Sequence, residues 1–204
     1  MTPLLLLFQD EHAHHHMDMT PAAPDPASLF AHHVSGWLVV GLAVFAYLEH
    51  TKLVRFFWVK YGWPLILFLQ SMFTLLWSDN PDFWPFDIHR WARHWSSWQH
   101  KIFAVVALSL AAIEFLRRRG TLKHPAWPHV LNALIIGAGV FLWFHQGHHT
   151  PMIHRQHQMM SAEVFTLGIM KTIADVQNRP TWLRLYVVPL LFLSLGLQLA
   201  FYVE

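Results

Sequence analysis

From residue 29 onward the chain alternates long apolar runs with short polar ones. A helix needs roughly 17 to 25 mainly apolar residues to cross a hydrocarbon core of about 30 Å, because its backbone polar groups must be satisfied internally. Six stretches approach that length: 29–49, 56–77, 102–116, 130–144, 159–176 and 182–203. The pattern predicts an all-α polytopic membrane bundle of about six transmembrane helices over residues 29–204. Residues 1–28 form a flexible tail ahead of it. The third and fourth runs are only 15 residues long. They are expected to continue as helix through their polar flanks, which places His100, His129 and His145 near the membrane boundary. The fifth run carries Glu163 and Lys171 and is the least apolar span.

Basic residues in the short connections orient such a bundle, the richer side being cytoplasmic. Lys52, Arg55, Lys60, Arg117, Arg118, Arg119, Lys123, Arg179 and Arg184 fall on one side, against Arg90, Arg93, Lys101 and Arg155 on the other. Both termini are then outside, in an inner (plasma) membrane with the second face periplasmic. Trp77, Trp84, Trp91, Trp95, Trp98 and Trp143 gather at the outer ends, where an interfacial aromatic belt belongs.

Composition agrees, with 54% hydrophobic and 13% charged residues against about 25% charged in soluble domains. No internal repeat or long linker marks a second domain. Residues 3–8 are apolar but have no basic segment before them and are followed by Asp10 and Glu11, so they read as retained tail and not a signal peptide. Cysteine is absent, which leaves imidazole, thioether, carboxylate and backbone oxygen as metal ligands. Of 17 histidines, only His50, His124 and His129 fall on the cytoplasmic side. The other 14 are at or near the outer face.

Three segments concentrate these ligands. The tail holds His12, His14, His15, His16, Met17 and Met19, borderline imidazoles and soft thioethers that suit both oxidation states of copper. Zinc or nickel would compete for the same groups. Residues 87–101 lack proline and glycine and can form one helix leading into the third span, with Trp91, Trp95 and Trp98 on one stripe and His89 and His100 opposite. The densest segment runs from His145 through His148, His149, His154 and His157 to Met159. His154 and His157 share a helix face if the fifth helix starts early. Glu163 would sit about two turns below the boundary, sharing a face with Met159 and Met170, as a ligand or relay carboxylate.

His32 and His50 share a face of the first helix at opposite membrane surfaces, which invites two stacked b-type hemes. His129 and His145 on the fourth helix are about 160° out of phase, which disfavours a second heme. One outer heme between two of His32, His33, His100, His145 and His157 stays open.

The six-span layout, the His/Met-rich outer N-terminus and the histidines at outer helix ends resemble the CopD-like copper-resistance and copper-uptake membrane proteins. That resemblance implies copper binding at the periplasmic face and passage into or across the membrane, with His33, His100, His145 and His157 as the helix-end positions. Two other readings compete. One is a membrane b-type cytochrome passing electrons. The other is a di-iron oxygenase, since the 89–94 and 145–149 segments look like two of three histidine boxes. The expected partners are the lipid bilayer, a transition-metal ion and other membrane subunits, and not nucleic acid. No nucleophile elbow, phosphate loop or nucleic-acid motif is present. The short connections predict that the third, fourth and fifth helices are neighbours, bringing His100, His145, His149 and His157 together.

Overall fold

The computed structural model describes residues 26–51, 53–54, 56–78, 95–144, 151–176 and 181–203, with backbone alone at 95 and 96. Every regular element in them is helical. The elements are α1 (Pro26–Thr51), a 3-10 turn (Phe57–Tyr61) leading into α2 (Gly62–Leu76), α3 (Trp95–Arg119), α4 (Trp127–Phe144), α5 (Pro151–Val176), and a π-wound segment (Leu183–Val187) leading into α6 (Val188–Ala200). Five helical stretches are long and apolar enough to cross a membrane: Pro26–Thr51, Phe57–Leu76, Ser97–Arg119, Trp127–Phe144 and Leu183–Ala200. α5 is as long as α1, at 26 residues or about 39 Å, but more polar. It starts at Pro151, eight residues before the apolar run does.

Local chemistry sets the ends. Pro26 and Pro151 occupy first positions of α1 and α5, where a missing N–H costs nothing and φ is already helical. α3 ends at Gly120, whose φ of 85° permits a Schellman closure. Gly120 N–H returns to Arg117 O at 3.0 Å and Thr121 N–H to Leu116 O at 2.9 Å. Pro189 cannot donate to Leu185, and the helix just before it widens. Val188 N–H reaches back five residues to Leu183 O.

Packing is antiparallel throughout. α1 lies along α6, α2 along α3 and α4 along α5. α1 and α6 approach through glycines: a Cβ on Gly36 would overlap the Ala200 backbone, and one on Gly196 would lie 2.7 Å from Val40 N. The core draws on every helix, through Leu42, Ala46, Trp63, Leu110, Leu131, Leu167 and Phe192. Outward positions are also apolar, including Val44, Leu65, Phe68, Val105, Val140 and Leu190, as a lipid-facing surface requires. Buried hydroxyls are satisfied by backbone: Ser71 donates to Leu67 O at 2.6 Å and Ser161 to Gly139 O at 2.6 Å.

One end of the bundle carries Lys60, Arg117, Arg118, Arg119 and Arg184, with His50, His124 and His129. The other carries His32, His33, His100, His154 and His157. The N-terminal tail with His12, His14, His15, His16, Met17 and Met19, the 79–94 segment with His89, and His145, His148 and His149 lie outside the described residues.

Candidate functional site

The histidine-rich end is built where α1, α5 and α6 meet. His32 comes from the second turn of α1, and its Nδ1–H donates to Ser28 O at 2.8 Å. A carbonyl only accepts, so Nδ1 carries the proton of this contact; in the neutral ring the lone pair then falls on Nε2, the form in which imidazole binds a metal. The ring stacks on Tyr202, with centroids 4.1 Å apart at 20°. His33, about 100° further round, donates from Nε2 to Tyr202 O at 3.0 Å. The two residues therefore clamp the chain just beyond α6 from its ring and from its backbone.

His157 enters from α5 and is only 6% exposed. Its ring lies 6.3 Å from that of His32 at 32°, and 6.2 Å from Tyr202 at 17°. Burial of an imidazole among aliphatic neighbours is costly unless it has polar work to do. Ile153, Met160, Leu195 and Tyr202 form the apolar cluster at this end.

The anticipated ligands distribute as follows. α5 does start early, yet His154 and His157 do not share an environment: His154 is exposed and pairs with Gln158 at 3.0 Å, while His157 faces inward. Met159 is 60% exposed, and the buried thioether is Met160, at 3%. Glu163 is half-buried and accepts from Gln198 Nε2, which ties α5 to α6. His100 is half-buried on α3. α3 packs on α4 and α4 along α5, while no Cα of α3 comes within 8 Å of α5; His145 and His149, expected to join His100 and His157, lie outside the described residues. The ring beside His157 is that of His32, which reaches it side chain to side chain: α1 and α5 each pack on α6 and share no Cα pair within 8 Å. His32, which the sequence offered only as one of the alternative heme ligands and not as a metal ligand, is the residue whose ring lies beside that of His157.

Among the described residues no three His, Asp or Glu side chains gather in a metal-holding group. A pair is what the geometry offers. Two imidazoles gripping one ion in line need ring centres about 6 Å apart, from metal–nitrogen bonds of about 2 Å and about 1 Å from nitrogen to ring centre at each end. The His32–His157 separation of 6.3 Å fits that span.

The opposite end holds a charge network. Glu114, fully buried, accepts from Arg117 Nε at 2.9 Å and Nη2 at 2.8 Å, and from Arg118 Nε at 2.9 Å. Arg118 continues to Glu49 at 2.7 Å and to Lys60 O at 2.6 Å. Asp175 accepts from Lys171 at 2.7 Å and from Asn132 at 2.9 Å. These contacts pin α1, α2 and α3 in one group and α4 to α5 in another.

No protein-family model, curated protein or solved structure matches the chain.

Proposed function

We propose that this chain is a multi-pass membrane protein that binds a transition metal, copper by ligand type, at the histidine-rich end of its bundle, and that this end is the periplasmic face. The observation that carries the reading is the His32–His157 pair: one imidazole with its tautomer fixed, the other buried, their rings 6.3 Å apart beside Tyr202. The sequence adds ligands ahead of α1 and between α4 and α5, in His12, His14, His15, His16, Met17, Met19, His145, His148 and His149. Such a set captures metal in the tail and passes it to a drier pair. The excess of basic residues at the other end supports the orientation.

The same pair supports a second reading. Histidines from two separate helices are also how b-type hemes are held, and that would make the chain an electron-transfer subunit.

Metal analysis and an optical spectrum of the purified protein separate the two. Copper binding gives stoichiometric metal, at most weak visible bands and loss to chelators. A strong Soret band that shifts on reduction replaces the copper reading with heme. His32→Ala and His157→Ala should each abolish high-affinity binding, with His124→Ala unaffected. Binding should weaken as the pH falls through about 6, since protons compete for imidazoles of ordinary pKa near 6.5. Full metal and heme content in the His32→Ala, His157→Ala double variant would sink both readings.

A further inference from the structure

Exposed hydroxyls on other outward faces, Ser109 on α3 and Thr166 on α5, donate to the carbonyl four residues back in their own helix, whereas the outward face of α6 carries hydrogen-bonding groups that are not closed in this way. Gln198 donates from Nε2 to Glu163 of α5 and, at 3.4 Å, to Ser194 Oγ. Both Ser194 and Gln198 are exposed. Among the described residues each keeps one group over: no acceptor is found for the Ser194 hydroxyl proton and no donor for Gln198 Oε1. Hydrocarbon supplies neither. Small and polar residues of this kind hold transmembrane helices together.

The stripe around these groups has the spacing of a helix–helix seam. Tyr186, Leu190, Ser194, Leu197 and Phe201 recur at intervals of four and three residues, and Tyr186, Leu190, Leu197 and Phe201 are 56%, 60%, 37% and 69% exposed. On α5 beside it, Ala162 and Thr166 are exposed at a spacing of four, the small-residue pattern that lets backbones approach.

We propose that α6 packs against α6 of a second copy of this chain about a two-fold axis along the membrane normal. The leftover groups select that occupant. In a two-fold contact each residue meets its counterpart reciprocally, so one unused donor and one unused acceptor on a single helix face complete two hydrogen bonds, Ser194 to Gln198 of the other copy in each direction. The heights agree. Helical side chains lean toward the N-terminus, and the Gln198 amide already lies at the level of Ser194. The inference is independent of any metal and rests only on α6 lying in the membrane.

The chain has no cysteine, so single-cysteine variants report contacts without background. Leu190→Cys and Leu197→Cys are oxidised in vesicles at low protein-to-lipid ratio, beside Val105→Cys on the exposed face of α3 as a collision control. The expected result is a covalent dimer from the α6 positions, at least severalfold above the control. Adding Ser194→Ala and Gln198→Leu, which keep the helix apolar and helical, should lower dimer yield about tenfold. Equal yield from Val105→Cys, a cross-link to a different chain, or a yield untouched by the double change would overturn the proposal.

Discussion

Glu114 has no exposed surface, and its Oε1 accepts from Arg117 while its Oε2 accepts from both Arg117 and Arg118. Removing one member of such a group leaves the others charged and buried, which costs far more than the intact group contributes. Glu114→Gln is therefore expected to destabilise the fold by about 3–5 kcal/mol. Glu49, whose side chain is 30% exposed, meets Arg118 where water screens the pair, and Glu49→Gln should cost no more than about 1 kcal/mol. Denaturant unfolding in mixed micelles compares them, and equal effects would mean that burial does not decide the contribution. Lys101 plays a related part at the other end. It is 3% exposed and donates to Thr74 O and Ser78 O at 2.8 and 2.6 Å, so it closes the C-terminus of α2 with a positive charge where the helix dipole favours one.

Among the elements, α1 and α6 come closest, because Gly36 and Gly196 face each other's backbone. A methyl group there meets atoms that cannot rotate away, so the helices must separate. Gly36→Ala should cost at the upper part of the range of about 1–3 kcal/mol for overpacking, and it should also loosen the His33–Tyr202 clamp a turn away. Gly137, on α4, has nothing within 4 Å of an added Cβ. Gly137→Ala should be neutral or stabilise by up to about 1 kcal/mol through helix propensity. Thermal unfolding of the two variants in detergent checks the contrast, and a harmless Gly36→Ala would show that α1 and α6 are not held at this distance.

For the whole molecule, antiparallel packing of six elements puts the start of α1 and the end of α6 at the same end. Both termini should accordingly be labelled from outside intact cells when tags are placed at Met1 and Glu204. Labelling of both only after the cytoplasmic face is opened would reverse the orientation, and with it the proposed periplasmic placing of the histidines. Labelling of the two from opposite faces would instead mean an odd number of crossings, at odds with the contact between the start of α1 and the end of α6.

Hydropathy along the chain determined that these are helices, roughly where each lies and which ends carry charge or histidine, because the free energy of moving one side chain into hydrocarbon is a property of that side chain alone. The extension of the 102–116 and 130–144 runs into α3 and α4 followed from the same reasoning. Choices between neighbouring residues did not follow. Met159 and Met160 differ by 100° on one helix, and only the position of α6 and α4 decides that Met160 is the buried one. Likewise the sequence places Pro189 in a span, but its accommodation by a π-wound segment depends on the helices around it. The partner of His157 was hidden for the same reason. Short connections favour contacts between helices adjacent in sequence, whereas the His32 ring reaches His157 because close approach at Gly36 and Gly196 draws the first helix to the last, on which α5 also packs. Which helices pair is fixed by the fit of surfaces far apart in the chain, and that fit exists only once the bundle has formed.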